Sequence, residues 1–251
     1  MTMSVYNLIS QYILIIGSIV ALVFLAVAGN EKRAAAGLTR QNWKSAVLIV
    51  LAFVGIYIVR TVVSVAVQGV SDGSGMQYVK EWAAMFKNPM MWLNIAALPI
   101  NYFFVFIAFF GEEYGWRYYL QPVLQKRFGL RAGVIILGVV WGLWHIPDDL
   151  FYYTQTSGIQ MIFAQQITCI SLGIFFAYAY MKTQNIWVPV CLHYLNNNLI
   201  PIISGTFSAD VLENQTVSWK DLPVALVLNG LCFGFFLLAD VFKKKEVQEE
   251  E

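Results

Sequence analysis

Seven stretches of this chain are apolar for long enough to cross a lipid bilayer, and that restricts its fold more than any other property. A helix needs about 20 mostly apolar residues to span the hydrocarbon core, and there every backbone N–H and C=O must find a partner inside the protein. The stretches are Leu8–Ala28, Ala46–Val67, Met91–Phe110, Ala132–Ile146, Gln160–Met181, Trp187–Ile203 and Pro223–Phe242. The third is expected to continue as helix past Glu112, because Tyr114 to Phe128 keeps helical spacing with Pro122 as its one blemish. The fourth is short unless it runs on through Asp148. Composition agrees: the chain is 59% hydrophobic and 12% charged, against about 45–50% and 25% for soluble domains. The expected fold is all-α, a polytopic membrane helical bundle of about seven transmembrane helices. It forms a single membrane-embedded domain over 1–242, followed by a charged cytosolic tail at 243–251.

The basic residues orient this bundle, because Lys and Arg concentrate in cytoplasmic loops. One set of alternate loops holds Lys32, Arg33, Arg40, Lys44, Arg117, Lys126, Arg127, Arg131, Lys182 and Lys243 to Lys245. The opposite set holds only Lys80, Lys87 and Lys220, and Arg60 lies inside the second stretch. This split predicts an N-terminus outside and a C-terminus in the cytosol; a bacterial cytoplasmic membrane is the expected location, though the charges give only the orientation. Snorkelling or pairing with a backbone carbonyl is the simplest role for Arg60; facing a substrate is the other.

The first stretch ends in Ala26-Val27-Ala28, which resembles a signal cleavage site, but no Lys or Arg precedes it and it is longer than a signal's apolar core. It is expected to be retained. The three cysteines, Cys169, Cys191 and Cys232, form no C-x-x-C pair and read as small apolar packing residues. With no basic block beyond Lys243–Lys245, nucleic acid is excluded as a partner.

Against this apolar background a few polar groups stand out, since titratable side chains at membrane depth are costly and usually face a protein interior or a wet cavity. Glu112 and Glu113 close the third stretch; His145 and His193, the only histidines, lie in the fourth and sixth. Glu113 and Arg117 are four apart on one helix face, acid before base, and can neutralise one another. Glu112 is rotated about 100° from Glu113 and cannot readily share Arg117, which suits it to take a proton from water. The alternative makes both acids interfacial residues at a helix end.

His145 follows Trp141-Gly142-Leu143-Trp144. The turn between the third and fourth helices falls near Phe128-Gly129, so Glu112 and His145 are equidistant from it. In an antiparallel hairpin with continuous arms they sit at one depth. The pairs Gly111/Gly115 and Gly138/Gly142 are expected to let the two arms approach closely there. His193 and Asn197 share a face of the sixth helix and can bind a water, a metal or a developing oxyanion. Interhelical hydrogen bonding is the plainer alternative, although three consecutive asparagines, Asn196 to Asn198, are unusual for that alone.

Three motifs in order, Glu112-Glu113-x-x-x-Arg117, Trp141-x-x-x-His145 and His193-x-x-x-Asn197, resemble the CPBP family of intramembrane endopeptidases, also called the Abi or CAAX protease and bacteriocin-processing family. The one departure is Trp141, where the family usually has Phe in a packing role. The resemblance covers about 103–203. It implies an intramembrane endopeptidase in which Glu112 and His145 activate water, His193 and Asn197 stabilise the oxyanion, and Glu113 and Arg117 support the first helix. The family is described both as glutamate proteases and as metalloproteases. Glu plus two His is a hydrolytic zinc set, so Glu112, His145 and His193 are the ligands if a metal is present. No cofactor is required otherwise, and no other carboxylate is an obvious second base once Glu112 is a ligand.

The implied partners are the lipid bilayer and a membrane-associated peptide or protein substrate. Eukaryotic relatives trim prenylated CAAX proteins; bacterial ones are linked to peptide maturation, bacteriocin immunity and membrane-protein processing. The loop Asp148–Gln160, with its acids and aromatics, is placed to gate access. Two rivals use the same residue types: a cation-coupled transporter, which predicts inverted repeats and broken helices that the sequence lacks, and a non-catalytic membrane scaffold.

Overall fold

The structure, a computed structural model, describes residues 41–71, 73, 76–205 and 213–243, and before them 15–16, 18–20, 22–24, 26–27 and 37–38. Most of the expected first span and the tail beyond Lys243 lie outside the described residues. Among them every regular element is helical, as the sequence requires: α1 (Trp43–Ser71), α2 (Met76–Met85), α3 (Pro89–Glu113), a π-helical segment (Tyr114–Leu120), α4 (Gln121–Phe128), α5 (Leu130–Trp144), α6 (Ile146–Phe151), α7 (Gly158–Thr183), α8 (Trp187–Ser204) and α9 (Asp221–Cys232).

Among the described residues four helices are long and apolar enough to cross a membrane: Trp43–Val67, Pro89–Phe128, Leu130–Phe151 and Gly158–Thr183. The second shows that the third apolar stretch does run on past Glu112. Asn88 starts it by accepting a bond from the Met90 N–H at 3.0 Å, with Pro89 just inside the helix, where its missing N–H costs nothing. Ahead of Pro122, which cannot donate, the helix widens into the π segment, where the Gln121 N–H reaches back five residues to the Trp116 carbonyl. Such π turns occur often at functional sites. The fourth stretch likewise continues through His145 to Phe151.

Two expectations change here. Arg117 is a fully buried helix residue rather than a loop cation, so it drops out of the charge asymmetry. The seventh stretch is not one α-helix: α9 ends at Cys232 and 3₁₀ turns follow at Gly234–Leu238 and Asp240–Phe242. The break falls at Phe233, whose fully buried ring packs against Phe53, Tyr57 and Phe175.

Helix α7 is the centre of the bundle and packs on α1, α5, α6, α8 and α9. Gly129, with φ of 88°, reverses the chain between α4 and α5, as the hairpin requires. The hairpin arms do not stay together, however. Trp116 and Trp144 still face each other across it at 6.3 Å, but α3 then leans on α8 while α5 lies on α7. The glycines follow that divergence. A Cβ on Gly138 would stand 2.6 Å from the Ile170 Cα, and one on Gly142 would meet the Gln166 side chain, both on α7; Gly115 faces open space and Gly111 meets Ser18. Gly138 and Gly142 therefore permit a close α5–α7 approach, and neither glycine pair joins the two arms of the hairpin. All three cysteines are free, and Cys169 packs in the core with Trp141, Phe175 and Phe176.

Candidate functional site

The site forms where α3, α5 and α8 meet behind a cavity. Glu113, fully buried, accepts a hydrogen bond from Arg117 Nε at 2.9 Å on one carboxylate oxygen. Its other oxygen lies 2.9 Å from His193 Nδ1. The first bond is the expected i,i+4 pair; the second joins two helices and was not legible from spacing. Arg117 has no hydrogen-bond partner for either Nη among the described residues. Its guanidinium instead lies 5.1 Å from the Trp141 ring centroid and 5.4 Å from that of Phe176, where the ring faces attract it.

Trp141 ties the two imidazoles to this pair. Its ring stands edge-on to His193 at 5.4 Å and to His145 at 5.8 Å. His145, at the junction of α5 and α6, donates Nδ1–H to the Trp141 carbonyl at 2.8 Å. With Nδ1 protonated, the neutral ring keeps a lone pair on Nε2.

In front of these groups lies a cavity of about 520 Å³. Its wall includes Glu112, Asn197, Asn198 and Asn101, with Asp148, Tyr152 and Tyr153 at the loop side and an apolar face from Phe104 to Phe109. Glu112 Oε2 is buried and accepts no hydrogen bond from a described residue, as expected for the acid that does not share Arg117. Asn197 is exposed to the cavity while His193, one turn earlier, is buried. The wall thus holds the carboxylate and the amide, and neither histidine is part of it. The loop expected to gate access does border the cavity. It is fastened to the chain after α8 by Gln215 N–H to the Tyr153 carbonyl and Val217 N–H to Ser157 Oγ, both at 2.9 Å. Burial holds the Tyr152 and Tyr153 phenols above their usual range, with the Asp148 charge adding to it.

The alternative zinc set does not assemble: among the described residues no three His, Cys, Asp or Glu side chains gather where one ion could hold them. Spacing also gave no sign of Asp149, fully buried with no hydrogen bond from a described residue to either carboxylate oxygen; its place four residues after His145 was the available clue. Among the described residues Arg60 bonds a side chain rather than a backbone carbonyl. It donates Nε–H to Asn229 Oδ1 at 2.7 Å and so joins α1 to α9.

Residues 93–199 match the model of the Type II CAAX prenyl endopeptidase Rce1-like family, a segment that holds every motif residue described above. That segment is similar to the CAAX prenyl endopeptidases of this family. A CAAX prenyl protease 2 from Methanococcus maripaludis is 27% identical over 125 residues, covering 46% of this chain and 45% of the relative. The chain thus matches a little under half the length of this CAAX protease. No solved structure matches the chain.

Proposed function

We propose that the chain is an intramembrane endopeptidase that hydrolyses a peptide bond in a membrane-associated peptide or protein, in a bundle with its N-terminus outside and C-terminus cytosolic. The observation that carries the reading is Glu112 at the wall of a cavity shared with Asn197, one of its oxygens buried without a hydrogen bond from any described residue, in front of the buried Glu113–His193 pair. A carboxylate that borders a cavity and shares no basic group among the described residues can accept a proton from water.

In the proposed reaction water enters the cavity and gives a proton to Glu112, assisted by the Nε2 lone pair of His145. The oxygen adds to the scissile carbonyl. Asn197 Nδ2–H and the Nε2–H of His193, acting as an imidazolium whose Nδ1–H is given to Glu113, stabilise the resulting oxyanion, since preorganised donors in a dry site contribute about 2.7–4 kcal/mol each. The proton taken from water then passes to the amide nitrogen as the C–N bond breaks, leaving a carboxylic acid and an amine. Glu113 and Arg117 hold His193 in place, and all steps use protein groups. The relative's name suggests prenylated CAAX peptides as the first substrates to try.

The test is cleavage of membrane peptides, prenylated and not, by purified protein in lipid, comparing wild type with Glu112→Gln and His145→Ala, each with and without chelator. The reading expects cleavage by wild type alone, unaffected by chelator. Equal turnover by all three proteins, or none by wild type, overturns it; loss on chelation overturns the metal-free mechanism.

A further inference from the structure

We propose that Tyr57, on α1, orients the Asn197 amide by way of Asn196, so that Asn197 presents its Nδ2 donor to the cavity. The inference rests on the proposed role of Asn197 at the oxyanion. A carboxamide has an acceptor end and a donor end, and only the donor end stabilises an oxyanion. The orientation of this amide is therefore a catalytic variable that something must fix.

The hydrogen bonds supply the means. Tyr57 O–H donates to Asn196 Oδ1 at 2.5 Å, and Asn196 Nδ2 donates to Asn197 Oδ1 at 2.9 Å. With Oδ1 occupied, Asn197 keeps Nδ2–H for the cavity that it lines. The opposite polarity would have Tyr57 accept from Asn196, and its hydroxyl proton would then have no acceptor among the described residues. A buried hydroxyl without an acceptor costs about 1–3 kcal/mol, so the donor direction prevails.

Tyr57 is well held for this task. It is 5% exposed, and its ring packs at 5.0 Å against both Phe53 and Phe233. The Arg60 guanidinium lies 5.8 Å from the ring centroid and is itself anchored to Asn229. The relay also accounts for the run of three asparagines. Asn196 transmits polarity and Asn197 uses it, while Asn198 bonds back to the Tyr194 carbonyl at 3.0 Å.

Two measurements test the relay. In steady-state cleavage, Tyr57→Phe keeps the ring and removes the hydroxyl, and is expected to lower kcat several-fold, to about tenfold, with KM unchanged. Added to Asn197→Ala it should cost nothing further, because the residue it acts through is gone. Equal losses in both backgrounds would mean a merely structural Tyr57 and overturn the relay. In protein labelled with ¹⁵N at asparagine, the side-chain amide signals lost in Asn196→Ala and Asn197→Ala are expected to shift in Tyr57→Phe. Unshifted signals overturn the relay whether or not cleavage is found. Absence of cleavage by wild type counts against the proposed function alone.

Discussion

Glu113 and His193 meet at 2.9 Å although 80 residues separate them in sequence, and this bond joins the helix carrying the adjacent acids to the helix carrying the asparagines. Because Glu113 also holds Arg117 at 2.9 Å, one buried carboxylate serves two basic groups. Each of its oxygens is occupied. Glu112, its neighbour in sequence, is left to the cavity.

Removing Arg117 is expected to destabilise the protein far more than neutralising Glu112. Arg117→Leu leaves the buried Glu113 with His193 as its one described partner, and breaking one side of a buried pair costs about 3–5 kcal/mol. Glu112→Gln changes a group with a cavity beside it and a buried oxygen that accepts no hydrogen bond from a described residue. Thermal melts in detergent should therefore place Arg117→Leu well below Glu112→Gln; the reverse order contradicts the division of labour between the two acids.

Glu113→Gln should separate support from chemistry. The amide keeps the shape but loses two charge-assisted hydrogen bonds, each worth about 1.5–3 kcal/mol. Lower thermal stability is expected together with a large loss of kcat, since His193 is no longer held. A variant that melts lower yet cleaves at the wild-type rate would remove His193 from the proposed mechanism.

The glycines give a contrast within one family of substitutions. Gly138→Ala drives a methyl against the Ile170 backbone at 2.6 Å, and overpacking of this kind costs about 1–3 kcal/mol. Gly115→Ala meets nothing within 4 Å, so it is expected to be neutral or to stabilise slightly through helix propensity. Paired melts check this. Similar shifts for both would mean that α5 and α7 are not in close contact at Gly138.

These positions also show where sequence reading stops. Helix class, the Glu113–Arg117 pair and the turn at Gly129 were legible, because each is set by periodicity or by residues a few positions apart. That Gly138 and Gly142 allow a close approach was legible too, but not the partner: small residues mark a contact face without saying which helix fills it. The same limit hid the Glu113–His193 bond and the Tyr57–Asn196 bond. Both depend on how α3 and α1 settle on α8, which local spacing does not encode. Equidistance from the turn placed Glu112 and His145 on opposite arms of one hairpin but did not foresee those arms diverging.

The charge of the cavity predicts a substrate preference. Its wall carries Glu112 and Asp148 and no Lys or Arg among the described lining residues, while Asn101, Asn197 and Asn198 are neutral. An anionic group close to the scissile bond meets two carboxylates with no described cation at the wall, since Arg117 is committed to Glu113 behind it. A Lys or Arg at that position meets attraction instead. In matched membrane peptides differing only in Lys or Glu beside the bond, kcat/KM should favour Lys. Asp148→Asn should narrow the ratio, and added salt should narrow it further, because charges at the mouth are screened within about 10 Å at 0.1 M. A preference for Glu, or a ratio indifferent to Asp148→Asn, would mean that substrates approach the bond by another side of the bundle.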